Sequence, residues 1–139
     1  MINQEFNIIL EAASRRHGHL CPSLYFGVSC AYHALKDISG SGEEAARAVI
    51  NGSSKCIRDG AGTALETLNI EGESRPQGKP VGVIVHTSDN TAYGVFVKEK
   101  IKAEINRLNA SLSTEEFQEK GVSYLRSLSL EEFLDKQET

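Results

Sequence analysis

The chain has 139 residues, 40% of them hydrophobic and 24% charged, a size at which one domain spanning 1–139 buries about two thirds of its unfolded surface. Fifteen Lys and Arg against nineteen Asp and Glu give a net charge of −4, which offers no positive field for nucleic acid or an anionic membrane. No apolar run approaches the roughly 20 residues that cross a bilayer, Arg15 and Arg16 follow the first apolar stretch instead of preceding it as in a secretory signal, and three cysteines, an odd number, fit a reducing, cytoplasmic compartment better than a disulfide framework.

Ile2, Phe6, Ile9 and Ala13 recur at helical spacing, and the cations that follow suit the negative end of a helix ending near Arg16. Pro22 is placed to open a second helix, because the N–H it lacks would be unpaired in the first turn. That helix is expected over 22–36, with Leu24, Val28, Ala31 and Leu35 as its core stripe, and Ile38 to Glu44 as a loop. A short strand over 45–50 then meets Asn51-Gly-Ser-Ser54, turn residues that can cap a third helix carrying Cys56 and Ile57. Gly60 and Gly62 lie inside that helix and each costs about 1 kcal/mol relative to Ala, so close packing or an access requirement must outweigh the penalty.

Residues 69–80 are polar and contain Gly and Pro, and read as a surface loop. Val81–His86 and Thr91–Val97 alternate like strands around the turn residues Thr87 to Asn90, which predicts a hairpin. Val97, Ile101, Ile105 and Leu108 form a further helical stripe, and the segments Ser113 to Glu116 and Ser129 to Glu132 match the capping-box pattern, predicting two short C-terminal helices. Helices around a small, mainly antiparallel sheet define an α+β class.

The chemistry is concentrated in His17-Gly-His19-Leu-Cys21-Pro22. Alternate side chains of an extended segment point the same way, so two imidazoles and a thiol can converge. Cys21 also caps the helix that Pro22 opens, where the dipole favours thiolate. Such donors suit zinc or another divalent transition metal, with hard calcium and magnesium disfavoured. The plainer reading is a chance His-x-His beside a small buried cysteine. Cys56, close to its own helix start, is a second thiolate candidate or a core residue. Asp59, three residues on, shares its helix face and is a ligand, an acceptor for a histidine N–H, or a first-turn charge. Taking 100° per residue, Cys30 and His33 fall on the face opposite the apolar stripe, which makes His33 a solvated histidine. His86, at a strand end, reads as an exposed hairpin residue.

With HGHLCPSLYFG, the sequence resembles the FmdE family, named for its association with formylmethanofuran dehydrogenase, whose hallmark is His-Gly-His-x-Cys-Pro-Gly opening a helix. A second family element, a strand and polar turn followed by Cys-x-x-Asp, is matched by Ala48 to Asp59. The resemblance implies an α+β core, often dimeric, with a metal-binding cleft in which His17, His19, Cys21 and Cys56 occupy the motif positions. The family name reflects genomic association with molybdenum or tungsten enzymes and does not imply dehydrogenase activity. The chain departs from the pattern at Ser23, which replaces the glycine after Cys-Pro, at Gly60-Ala61-Gly62, at Thr67 where a later cysteine is usual, and in the loop Gln77 to Pro80.

These readings converge on a small metal-binding protein in which His19, Cys21 and Cys56 hold a zinc-like ion, with His17 as fourth ligand or as catalytic acid/base. Its role is metal delivery to a receiving protein or metal-assisted chemistry on a small molecule, and a homodimer is expected. Two alternatives remain: a metal-free thiol protein using Cys21 activated by His19, and an interaction domain whose site has decayed.

Overall fold

A computed structural model describes residues 3–138; Ile2, part of the first helical stripe in the sequence, lies outside them. In chain order the elements are α1 (Gln4–His17), α2 (Pro22–Gly40), β1 (Ala45–Asn51), α3 (Lys55–Thr67), β2 (Glu71–Arg75), β3 (Gly82–Thr87), β4 (Ala92–Val97), α4 (Glu99–Ser111), α5 (Thr114–Ser127), α6 (Leu130–Phe133) and β5 (Leu134–Glu138). The class is α+β. The strands form one mixed sheet in the order β2-β1-β3-β4-β5, in which only the β1–β2 pairing is parallel.

α2 is the centre of the molecule, packing against α1, α3, α5 and the sheet. Ala48, Ile50, Val83, Val85, Val95 and Val97 share its core. Because α2 is covered on several sides, burial extends around it beyond the predicted stripe: Cys30 is fully buried, and Tyr32 and Phe26 nearly so. His33 is correspondingly half-buried and stacks on Phe6, with ring centroids 6.0 Å apart. The expected solvated histidine is therefore a packed one, and burial lowers its pKa. The helix also runs one turn past Lys36, to Gly40, as Ile38 remains in the core.

α2 and α3 cross with almost no side chain between them. A Cβ on Gly27 would stand 2.3 Å from the Ile57 carbonyl oxygen, and one on Gly60 would stand 2.5 Å from that of Leu24. Close packing thus explains Gly60. Gly62 has no such neighbour, since no atom outside its own helix backbone and chain neighbours lies within 4 Å of where its Cβ would be. On the other side of α2, Gly121 of α5 sits so close to Pro22 that its Cβ would be 2.4 Å from the ring, and α5 thereby backs the start of α2.

Two strands depart from the expectations. β2 lies inside the predicted 69–80 loop and pairs in parallel with β1, with all five residues exposed. β5 follows a single helical turn at α6 and closes the sheet on β4. The predicted hairpin is present, its strands being β3 and β4 and its turn containing Asn90 at φ 74°. Ser129 and Glu132 form a complete capping box. Ser113 caps α5, but the Glu116 carboxylate accepts from the Ser113 hydroxyl instead of from its backbone.

Candidate metal centre

The last residue of α1 is His17, and Gly18 ends the helix in the left-handed region at φ 102° with its N–H donating to the Ser14 carbonyl. A side chain at that φ is strained, which is why glycine stands between the two histidines. The turn brings the His17 and His19 rings to 4.5 Å between centroids. Convergence is thus produced by a helix-ending turn and not by the uniformly extended segment inferred from alternate spacing. The chain then extends through Cys21, the N-cap of α2, at φ −138°.

The second donor segment arrives from β1. Beyond Asn51 the chain turns, and Ser54 caps α3 by accepting the Cys56 N–H at 3.1 Å. Cys56 is therefore the second residue of α3. The glycine-lined crossing holds α2 and α3 close enough that their starts share one point. One donor atom from each of His17, His19, Cys21 and Cys56 lies within 4.8 Å of the other three. All four predicted site residues are brought together from stretches 35 positions apart in sequence, counted from Cys21 to Cys56.

Asp59 takes the second of its three candidate roles. Its Oδ2 lies 2.6 Å from His17 Nδ1, and His17 Nε2 lies 3.1 Å from Cys56 Sγ. A carboxylate only accepts, so Nδ1 carries the proton and donates it, which leaves Nε2 facing the thiol. The His17 side chain is 5% exposed and its ring is held from both edges. His19 is exposed and Cys56 half-buried, so the group opens to solvent on the His19 side.

Cys21 is buried, and burial pushes its thiol up to about 11; the backbone N–H groups of Leu24 and Ser23 pull the other way, and the neighbouring Cys56 raises it further. Desolvation thus outweighs the helix-terminus effect that the sequence suggested. A cation among these donors would reverse the balance, because a coordinating thiol is deprotonated.

A tetrahedral zinc site with Zn–S near 2.3 Å and Zn–N near 2.0–2.1 Å places its donors roughly 3.3–3.8 Å apart. The observed limit of 4.8 Å exceeds this by about one ångström, which side-chain rotation can close. Two thiols, two imidazoles and a carboxylate behind one imidazole also make the donor set of a borderline or soft metal.

The other titratable candidates lie elsewhere. Cys30 is enclosed in the core, and burial raises its pKa. His86 pairs with Arg47 on β1, four residues before the Asn51 end from which the chain enters the site. It is half-buried, and burial together with Arg47 and Arg75 lowers its pKa. The direct His17–Cys56 contact has no signal in local spacing. Arg58 and Gly62 line a cleft beside Asp59, which sequence reasoning did not foresee beyond the helix penalty noted at Gly62.

A thiol and imidazole group preassembled where two helices begin, in an α+β fold, defines a small protein with a group able to hold a metal ion. Residues 16–138 match the family described as FmdE, Molybdenum formylmethanofuran dehydrogenase operon, and the chain belongs to that family. No curated protein matches the chain.

Proposed function

We propose that this protein binds a zinc-like divalent transition metal through His17, His19, Cys21 and Cys56. The observation that carries the reading is the mutual approach of these four donors to within 4.8 Å. In this reading His17 serves as a ligand through Nε2, with Asp59 holding Nδ1 and so fixing the ring. Bound there, the metal would supply Lewis acidity or a transferable ion. The exposed His19 favours exchange: it is the donor that can swing out to admit a small molecule or a receiving protein. The role is delivery or accessory service to a molybdenum or tungsten enzyme, or metal-assisted chemistry on a small molecule, in a cytoplasmic homodimer that uses neither nucleic acid nor membrane. Among the described residues no helix is long and apolar enough to cross a membrane.

The test is elemental analysis of protein purified without a metal-affinity tag, alongside Cys21→Ser and Cys56→Ser. Each variant is expected to lose most of the metal, since removing one thiolate leaves an incomplete shell. Equal metal content in all three proteins would end the shared-site reading.

One geometric feature favours a second reading. Cys56, His17 and Asp59 stand in line as thiol, imidazole and carboxylate, an arrangement that serves nucleophilic cysteines. If the protein is a metal-free thiol protein, its nucleophile is thus Cys56 with His17, and not Cys21 with His19. Alkylation of Cys56 at equal rates with and without added zinc supports this reading; protection by stoichiometric zinc supports the metal centre.

A further inference from the structure

Gly62 has no structural reason to be glycine. It lies inside α3, where glycine weakens a helix. Its φ is not in the left-handed region, and beyond its own helix backbone and chain neighbours no atom lies within 4 Å of the position its Cβ would take. Gly60, two residues earlier, is explained by contact with α2; Gly62 faces open space. That space is a cleft of about 380 Å³ bounded by Gly62, Arg58, Lys55, Arg16 and the His17–Asp59 pair.

The charges around the cleft are unevenly matched. Glu66 is paired with Arg16 at 3.0 Å, and Asp59 is engaged by His17 at 2.6 Å, with Lys55 only at 3.9 Å. Arg58, half-buried on the cleft wall, has no carboxylate partner among the described residues. In a chain of net charge −4, one unopposed guanidinium with an ammonium nearby is a local excess of positive charge. A guanidinium presents parallel N–H donors that match two oxygens of a carboxylate or phosphate.

We propose that this cleft receives the oxyanion group, carboxylate or phosphate, of a small molecule, held by Arg58 with Lys55, and that Gly62 leaves the room for it. A small oxyanion is then the substrate class of the metal centre, a step that rests on the metal reading. His17 is the wall the two share: one edge of its ring faces Cys56 and the other faces Asp59 and the cleft. A molecule anchored by its anionic end at Arg58 lies in the cleft that His17 and Asp59 also line. The docking itself requires only the chain's own residues.

The probes are inorganic phosphate and acetate, titrated separately into metal-free and zinc-loaded protein at constant ionic strength, with chloride as control and amide shifts read by NMR. Saturable shifts at Arg58 and Gly62 with phosphate or acetate, absent with chloride, are expected; the stronger of the two identifies the group. Arg58→Ala and Gly62→Leu should each weaken binding at least ten-fold. Gly62→Ala should melt about 3 °C higher than the parent, and Gly62→Leu no lower, which separates blocked access from unfolding. The proposal is overturned by equal shifts with chloride, by no saturable shift, or by Gly62→Leu binding as the parent does. If metal content is normal but neither anion docks, the cleft reading falls and the metal centre stands. If an anion docks on a protein that takes no metal, the cleft stands and the metal reading falls.

Discussion

His17 is the residue on which the arrangement turns, and Asp59 is what makes it a directed donor. An imidazole with one nitrogen fixed by a carboxylate cannot rotate its other nitrogen away from Cys56, and such an outer partner typically contributes 10–100-fold to metal affinity. Asp59→Ala should therefore weaken zinc binding by about that factor while leaving the fold intact, since the side chain is partly exposed. Asp59→Asn should recover part of the loss, because its amide oxygen can accept the same Nδ1–H. Competition with a chromophoric chelator measures both; an unchanged zinc affinity in Asp59→Ala would show that Asp59 does not position the ring. His17, His19 and Cys21 were legible as candidate donors because their chemistry is local, His-x-His-x-Cys ahead of a proline, whereas Cys56 read from its own surroundings as a thiolate or a core residue and joined the set through the family resemblance. Which role Asp59 takes was not legible, as it depends on His17, 42 residues away in the chain. The same limit applies to Cys30 and His33, whose helix face was judged from one stripe although the helix is covered on several sides.

At the scale of elements, the site exists because α2 and α3 approach backbone to backbone. Gly60→Ala would place a methyl 2.5 Å from the Leu24 carbonyl oxygen. The helices can relieve that contact only by separating, which also parts Cys21 from Cys56. Overpacking of this kind costs about 1–3 kcal/mol, the upper part applying where the close atom is backbone. Less the roughly 1 kcal/mol that alanine gains over glycine in a helix, Gly60→Ala should lower the denaturant midpoint by the equivalent of about 1–2 kcal/mol and reduce metal retention with it. A stability within about 0.5 kcal/mol of the parent, the range of an ordinary surface change, would mean that the crossing yields easily. The opposite effects expected at Gly60 and Gly62, two residues apart on one helix, separate contact from access. The sequence marked both glycines as anomalous in a helix but could not assign the reasons, which lie in what faces each. β2 and β5 were illegible for a related cause. Their residues, EGESR and LDKQE, lie at the two sheet edges, where all of β2 and four of five in β5 are exposed. They therefore lack the apolar alternation that reveals β3 and β4. Charged, short edge strands also discourage pairing with another chain.

At the scale of the whole molecule, the question is whether the fold depends on the metal. The core runs from Phe6 to Leu134 and includes side chains from α1, α2, α3, α5 and the sheet, with Cys21 as its member nearest the site. A domain with such a core does not need an ion to fold. Chelation should accordingly lower the melting temperature yet leave one cooperative transition. At free metal a hundred times above Kd, the stabilisation removed is about 2.7 kcal/mol. The metal-free form then carries a pH signature. The folded Cys21 thiol titrates near 11, above its ordinary value of 9.0, and Cys30 is shifted in the same direction by burial. A raised pKa means that the folded state holds its proton more tightly than the unfolded chain does. The stability this contributes is fully present below pH 9 and is lost as pH rises from about 9 through 11. Metal-free protein should thus melt at a steady temperature from pH 7 to 9 and at falling temperatures above it, with a shallower fall in Cys21→Ala. Zinc-loaded protein should lack the Cys21 part of that fall, because its thiol is already a thiolate at neutral pH. Loss of cooperative melting on chelation at pH 7 would instead show that the ion is part of what holds α1, α2 and α3 together.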